Sequence, residues 1–231
     1  MPDTHEPLRA EMALSQLVDA ARATIADKVD GRSGRAEVLD GLDAVDFRAI
    51  QLPAPREIPA CHHLSRAIEE VRRAGFGRLA RAVEAARPFL AWTTYDAYRP
   101  EEIGQRFAAS HAFAEIVGPG ATFEAADYDL GLFLIGPHVL YRDHHHPAPE
   151  LYLPLTGPTR WRFGTGAPWE SRQAGEPVWN IANRVHATIV DEKPLLCLYA
   201  WTKDVSLPAL VDKAADWTTI DAALAAKAKD A

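Results

Sequence analysis

The chain has 231 residues, enough for one large domain or for a small domain with an extension. With 48% hydrophobic and 25% charged residues, its composition is that of a globular protein and excludes a disordered chain. The formal net charge of −7, with no run of Lys and Arg, argues against a nucleic-acid-binding protein.

Cysteine usage and the N-terminal stretch both predict a cytoplasmic protein. Cys61 and Cys197 lie far apart and show no metal-ligand spacing, so we expect two free thiols in a reducing compartment. The N-terminal stretch MPDTHEPLRAEM is polar and acidic, unlike a signal peptide. No apolar run reaches the ~18 residues that a membrane helix needs, so we expect no membrane partner.

The first half of the chain predicts helices. Apolar residues recur every three or four positions in LRAEMALSQLVDAARATIADKV (8–29) and in HLSRAIEEVRRAGFGRLARAVEAARPFL (63–90). The segment RPEEIGQRFAASHAFAEIVGPG (99–120) begins with a proline in a first-turn position and ends at glycine and proline. We therefore predict a helical N-terminal portion over residues 1–125. Its apolar faces should pack on the following domain as a cap, or on a partner subunit in a homodimer.

After residue 120 the hydrophobic period changes to two. Short apolar or alternating runs follow at intervals of about ten residues, separated by Gly and Pro. They are DLGLFLIGPHVLYRDHHH, ELYLPLTG, TRWRFGTG, PVWNIANRVHATIV and PLLCLYAWTK. This spacing is typical of a β-sandwich or barrel. The expected fold class is mainly β with a helical N-terminal part (α+β): a small barrel over 126–205 and a short helical tail over 206–231.

The stretch YRDHHHPAPELYLPLTG carries the densest chemistry in the sequence. Because alternate side chains of a strand share a face, His144 and His146 should point together and His145 away. Pro147 and Pro149 predict a fixed turn after the histidines. The chain can then return on the next strand, so the residues that follow the turn should lie near the histidine pair.

Glu150 and His186 are the other two predicted ligands. Glu150 should share one face of the returning strand with Tyr152, and His186 lies on the later strand NRVHATIV. Three imidazoles and one carboxylate suit a single divalent transition metal ion such as Zn, Fe(II), Mn, Ni or Co. Such a set leaves coordination positions open for a ligand.

Two motifs resemble those of the cupin superfamily. HHHPAPELYLPLTG resembles the first cupin motif, with His144, His146, Glu150 and Gly157 at its fixed positions. GEPVWNIANRVH resembles the second, opened by Gly175 and closed by His186. Asn183 stands where the second motif usually has glycine, and asparagine tolerates the left-handed conformation. The resemblance covers about residues 126–203 and implies a double-stranded β-helix, similar to a jelly roll, with a metal site.

A narrower resemblance involves ELYLP, Tyr141 and the helical front half. Together they resemble the cupin-type dimethylsulfoniopropionate (DMSP) lyases of marine bacteria. That resemblance implies a metal-dependent lyase that cleaves this zwitterion to dimethyl sulfide and acrylate, with the metal binding the substrate carboxylate. Tyr152 could then remove the α-proton. Free tyrosine has a pKa near 10, and a nearby cation favours the phenolate.

Two further residues are candidate substrate contacts. Tyr141 could hydrogen-bond the substrate carboxylate, position Tyr152, or stand at the barrel rim with its hydroxyl in water. A sulfonium group has no hydrogen-bond donor, so aromatic faces are expected to bind it through cation–π attraction. Among the aromatic residues of the barrel half, Trp179 is the candidate because it precedes the His186 strand.

Other functions remain open at this point. The same four ligands would serve an Fe(II) dioxygenase or an isomerase, with Tyr152 as an accessory group. A cupin that binds a small metabolite without chemistry is a third reading, disfavoured because the sequence shows no helix-turn-helix or basic stripe.

Overall fold

Helices and two β-sheets form three layers in the computed structural model, which describes residues 5–48 and 51–229. The first residues of the polar N-terminal stretch and the end of the C-terminal tail lie outside this range. The α-helices are α1 (Glu6–Lys28), α2 (Arg35–Asp43), α3 (Leu64–Arg73), α4 (Gly77–Ala86), α5 (Pro100–Ile103), α6 (Gln105–Ser110) and α7 (Trp217–Lys227). Short 3-10 helices cover Pro59–His63 and Arg87–Phe89.

The strands form two sheets that face each other. They are β1 (His111–Gly118), β2 (Phe123–Glu124), β3 (Asp129–Ile135), β4 (Val139–His145), β5 (Glu150–Pro154), β6 (Thr159–Phe163), β7 (Glu170–Arg172), β8 (Val178–Asn180), β9 (His186–Val190), β10 (Leu195–Trp201) and β11 (Leu210–Val211). One sheet has the order β2-β1-β3-β10-β5-β8 and the other β11-β4-β9-β6-β7. Neighbouring strands are antiparallel except β1 and β2. This confirms the predicted α+β fold with a cupin-type β-barrel.

The six-stranded sheet is buried on both faces. Its outward side chains, such as Leu132 and Leu198, share one hydrophobic core with Leu17 of α1 and Val71 of α3. Its inward side chains share a second core with residues of the five-stranded sheet. The helices therefore cover the outer face of this sheet, and the strands read as nearly continuous apolar runs because both faces are buried.

The helical prediction for residues 99–120 is wrong over its second half. Helix α6 ends at Ser110, and His111–Gly118 forms β1, which pairs with β3 along its length. Ala112 and Ala114 face the helices, where small side chains fit, while Phe113 faces the other way. Pairing in the sheet overrides the helix propensity of alanine. The barrel thus begins before the predicted boundary at residue 125.

The other helical predictions are confirmed with one change. The run at 63–90 forms two helices, because Gly75 adopts a φ of 94° between α3 and α4. The C-terminal tail contains the predicted helix α7, and before it β11 pairs with β4. Among the described residues, the structure has no helix with the length and hydrophobicity that crossing a membrane requires.

Candidate metal centre and active-site cavity

Three histidines converge between the sheets. His144 on β4 pairs directly with His186 on β9, and His146 follows at the end of β4. One nitrogen of each ring lies within 4.8 Å of the others. All three side chains are buried. The predicted imidazole cluster is therefore present, built from two neighbouring strands.

The backbone fixes the orientation of each ring. The Nδ1 atoms of His144, His146 and His186 lie 2.8 Å from the carbonyl oxygens of Arg142, Ala148 and Arg184. A carbonyl only accepts, so each Nδ1 must carry the proton and donate it. The Nε2 atoms are thereby left to face the cluster.

Two of these Nε2 atoms form no hydrogen bond with the described residues. Nε2 of His144 and Nε2 of His186 are buried and lack a hydrogen bond among the described residues. Burial of an unpaired polar atom is costly, and a neutral imidazole with Nδ1–H donated to a carbonyl is the ordinary state of a metal-bound histidine. The donor set therefore fits a divalent transition metal ion.

Glu150 lies against the imidazole cluster. Its Oε2 is 3.0 Å from His146 Nε2 and 3.3 Å from His186 Nε2, and its Oε1 accepts a 2.7 Å hydrogen bond from Trp201 Nε1. Burial alone would raise the pKa of Glu150, but His146 and then His186 outweigh it and hold that pKa well below its usual range. The four predicted ligand residues thus lie together, with the carboxylate ionised.

The histidines differ in their protonation. Burial, followed by the neighbouring His186 and His146, holds the pKa of His144 well below its usual value. Burial also opposes the charged form of His146, but the carboxylate of Glu150 outweighs it and raises the pKa of His146. A cation bound at Nε2 would take the place of the proton that His146 shares with Glu150.

A β-bulge brings Tyr141 to the same face as His144. The pairing of β4 with β9 shifts between Tyr141 and His144, which pair with Thr188 and His186. Two residues of β4 thus stand opposite one of β9. The Tyr141 ring stacks on His144 at 3.9 Å between centroids, and its hydroxyl lies 3.1 Å from that of Tyr98. Tyr141 is buried, so the rim alternative is wrong.

Tyr152 faces the same interior as Glu150. It lies two residues further along β5, buried, with its ring centroid 6.1 Å from that of His186. Burial and then the negative charge of Glu150 raise the pKa of Tyr152 well above its ordinary value. Positive charge beside Glu150 would act in the opposite direction.

Tyr141, Glu150 and Tyr152 border a cavity of about 350 Å³ between the sheets. Aromatic side chains form much of its wall, and carboxyl groups lie at separate places along it. The cavity is lined by Thr93, Thr94, Tyr95, Tyr98, Phe113, Glu115, Pro119, Asp129, Tyr141, Glu150, Tyr152, Tyr199, Trp201, Val205, Ser206 and Ala209. The three histidines are not among the lining residues, and Glu150, which contacts His146 and His186, connects the cavity with their cluster.

The structure does not place Trp179 in this cavity. Trp179 lies on β8 opposite Leu151, and its ring packs against Gly34 and the core shared with the helices. It faces outward because the alternation of β8 directs Val178 and Asn180 inward. Trp201, which stacks on His146 at 4.4 Å between centroids, lies at the cavity instead.

The sequence named Tyr199 and Trp201 among several aromatic candidates of the barrel half, but it did not single out Tyr98 or Asp129. Tyr98 lies in the segment before α5, and Asp129 begins β3. The period of two in LLCLYAW places Tyr199 and Trp201 on one face, but it does not tell which face looks inward. Nothing local marks Tyr98, since its position depends on how the segment crosses the barrel.

The remaining side chains of the histidine stretch point out of the site. His145 Nδ1 contacts Asp212, and Arg142 contacts Asp221. Asp143 is buried and receives hydrogen bonds from Arg162 and from Trp217. The prediction that His145 faces away from His144 and His146 is confirmed.

Comparison with known proteins gives one family. The model of a family described as dimethylsulfoniopropionate lyase matches residues 43–197. A curated relative, dimethylsulfoniopropionate lyase DddQ of Ruegeria pomeroyi, is 25% identical over 108 residues, which cover 47% of this chain and 53% of the relative. The match thus spans about half the length of that relative.

Solved structures share the fold over most of the chain. A crystal structure from work on the DMSP lyases RdDddP and RnDddQII has a TM-score of 0.64 and 22% identity, covering 88% of this chain and 100% of that one. The crystal structure of DMSP lyase DddQ from Ruegeria pomeroyi DSS-3 has a TM-score of 0.64 and 21% identity, covering 86% and 95%. At these identities the likeness shows a common fold.

Proposed function

This chain belongs to the dimethylsulfoniopropionate lyase family, and on that premise we propose that it cleaves DMSP to dimethyl sulfide and acrylate by β-elimination. The observation that carries the proposal is the position of Tyr152. A buried phenol lines the same cavity as Glu150, and the ring of His186, whose Nε2 forms no hydrogen bond with the described residues, lies 6.1 Å from it between centroids. An elimination needs a base and a place for the substrate carboxylate in one small volume, and this cavity offers both.

His144, His146, Glu150 and His186 would hold one divalent metal ion. The unpartnered Nε2 atoms and the ionised carboxylate support this set. The donors do not discriminate strongly among first-row ions, so the identity of the metal is left open. When bound, the ion supplies a Lewis acid for the substrate carboxylate and positive charge that favours the ionised phenol.

Tyr152 would act as the general base. Its phenolate oxygen takes the proton from the α-carbon, and the electron pair of the broken C–H bond becomes the C=C bond of acrylate. The β-carbon–sulfur bond breaks, and its electron pair leaves with sulfur as neutral dimethyl sulfide. The proton on Tyr152 then passes to solvent, which restores the base.

Tyr141 would position the substrate. Its ring is held between His144 and Phe107, at 3.9 and 4.0 Å between centroids, so its hydroxyl has a fixed place in the cavity wall. Burial raises the pKa of Tyr141 well above its ordinary value, which keeps it neutral and able to donate a hydrogen bond to a carboxylate. The contact with Tyr98 leaves that donor role available, because either hydroxyl of the pair can donate to the other.

The decisive experiment measures dimethyl sulfide by gas chromatography from purified, metal-loaded protein given DMSP. We expect Tyr152→Phe to lower kcat by about 100-fold or more, the usual contribution of a general base. Tyr128→Phe is the matched control, because Tyr128 is also buried but bonds Val38 O on the helical side.

Two outcomes would contradict the proposal. If Tyr152→Phe turns over DMSP as fast as Tyr128→Phe, the phenol is not the base. If the wild-type protein releases no dimethyl sulfide but consumes oxygen with another small acid, the site belongs to a dioxygenase.

A further inference from the structure

Two carboxyl groups line the cavity away from the histidine cluster. Glu115 on β1 and Asp129 at the start of β3 both border it, and both are half-buried. Among the described residues, neither forms an ion pair with Lys, Arg or His. Glu115 Oε1 is buried with no hydrogen-bond partner there. Enclosed acids are ordinarily paired with a cation, so a cation between these two carboxyl groups would be stabilised.

The backbone makes room for these groups. A Cβ atom at Gly118, whose φ is 152°, would overlap the Glu115 carboxylate. A Cβ atom at Gly131 would lie 3.0 Å from the Tyr199 hydroxyl and would also meet the backbone of β1. The Tyr199 hydroxyl in turn donates to Asp129 at 3.2 Å. The absence of a side chain at Gly118 and Gly131 thus leaves space for Glu115 and Tyr199 at the acidic end of the cavity.

Strand register places this acidic end opposite the histidine cluster. Asp129 pairs with Trp201, and Trp201 pairs with Glu150 on its other side. Two strand spacings separate Asp129 from Glu150, about 10 Å between their backbones. A short zwitterion can lie along Trp201 between them. At the other end, beyond Glu150, lie the buried Nε2 atoms of His144 and His186, which form no hydrogen bond with the described residues.

We infer that Glu115, Asp129 and the ring of Tyr199 form the subsite for the cationic end of a zwitterionic substrate, whose carboxylate is bound at the histidine cluster. The inference rests on the proposed function for the carboxylate end. A fixed cation such as sulfonium or quaternary ammonium has no N–H or O–H donor, so it is recognised by negative charge and aromatic faces. The subsite therefore selects for charge at this position.

The electrostatics of the cavity agree with this geometry. Burial and then Glu124 raise the pKa of Glu115 to about 7. Burial and then Glu115 raise the pKa of Asp129 well above its usual value. A cation between the two would relieve both effects.

The test compares two ligands that differ in charge alone. 3-(Trimethylammonio)propanoate carries a fixed cation, and 4,4-dimethylpentanoate replaces its nitrogen by carbon. Binding to the metal-loaded full chain is measured by calorimetry. We expect the wild type to prefer the cationic ligand by at least tenfold, which is about 1.4 kcal/mol. Glu115→Gln and Asp129→Asn should each reduce that ratio by tenfold or abolish it, with binding of the neutral ligand retained.

The matched control is Glu124→Gln, which removes an exposed carboxyl next to Glu115 but outside the cavity and should keep the ratio. An unaltered ratio in a folded Glu115→Gln or Asp129→Asn variant would overturn the inference. The inference would also be overturned if the wild-type protein bound both ligands equally well, and this measurement requires no variant. A wild type that prefers the cation but releases no dimethyl sulfide from DMSP keeps the subsite and removes the proposed reaction.

Discussion

At the scale of single residues, the main chain decides what the site side chains can do. Carbonyl oxygens hold Nδ1 of His144, His146 and His186, so three rings are oriented before any ligand arrives. That order reduces the conformational entropy that binding would otherwise cost. We therefore regard the carbonyls as part of the candidate metal centre.

Alternation along a strand was sufficient to predict part of this site. It placed His144 with His146 and Glu150 with Tyr152, because these pairs obey the period of two. It could not place Tyr141, which reaches the face of His144 only through the bulge in β4. No residue type in the stretch signals a bulge, since its cause lies in the pairing with β9.

The buried carboxyl of Glu115 should make stability depend on pH. Its pKa is raised to about 7 in the folded chain, above the value near 4.3 of an unfolded one. The folded state therefore keeps a proton that the unfolded state loses between these values. The contribution of Glu115 to stability is therefore fully present below about pH 4 and is lost as the pH rises through about 7.

Thermal unfolding from pH 4 to 8 checks this dependence. Relative to the wild type, Glu115→Gln should gain Tm as the pH rises, on the order of a few degrees by pH 8. Glu37→Gln, which changes an exposed carboxyl on α2, is the control. A constant difference between Glu115→Gln and the wild type over this range would show that the carboxyl carries no such proton.

At the scale of elements, the C-terminal segment fastens the outer side of β4. Arg162 is fully buried, with its Nε 2.8 Å from Asp143 and its Nη1 2.5 Å from Asp216. Trp217 Nε1 donates to Asp143 at 2.7 Å. Asp143 lies in the β-bulge and directly precedes His144, so these contacts stabilise the bulge from the outer side of the sheet.

Removal of one partner from this buried pair should be costly. Asp143→Asn leaves the Arg162 guanidinium with the partly exposed Asp216 as its remaining counter-charge, and we expect the free energy of unfolding to fall by about 1–3 kcal/mol. Urea denaturation followed by fluorescence measures the change. Asp46→Asn, at an exposed pair with Arg48, should leave the midpoint essentially as it is. Equal midpoints for both variants would mean that Asp216 alone suffices to compensate the buried charge of Arg162.

Element boundaries were harder to predict than element types. Helix α1 follows from its apolar period alone, because its buried face is continuous from Ala10 to Ile25. Strand β1 was missed since Ala112 and Ala114 favour helix by propensity and directly follow helix α6, whereas its extended form comes from the pairing with β3. Asn183, with a φ of 60°, adopts the left-handed turn conformation that asparagine tolerates.

At the scale of the whole molecule, the helical half covers the six-stranded sheet. The sequence predicted that the apolar faces of the N-terminal helices pack on the barrel as a cap or on a partner subunit. It could not decide between these two arrangements. The shared core of α1, α3 and the outward leucines answers this for the described residues. A homodimer stays a prediction, which light scattering checks.

This layer should support the fold without taking part in chemistry. Leu17 is fully buried between α1 and its neighbours, so Leu17→Ala should lower the free energy of unfolding by about 2–5 kcal/mol. At a temperature where the variant stays folded, dimethyl sulfide release per folded molecule should equal that of the wild type. Leu8→Ala, on the same helix at a residue 56% exposed, is the control for both readouts. A lowered turnover in the folded Leu17→Ala protein would give the helices a part in the reaction.

Because the six-stranded sheet is covered on both sides, the alternate residues of strand β10 belong to two different cores. Ligand recognition can therefore be changed from one side of the strand. Leu196, Leu198 and Ala200 belong to the core beneath the helices, whereas Cys197 and Tyr199 belong to the core between the sheets. Mutant libraries restricted to Tyr199 and Trp201, the residues of this strand that line the cavity, would vary the cavity wall one side chain at a time. The even-numbered positions would keep their packing, so recognition and foldability can be selected separately along one seven-residue strand.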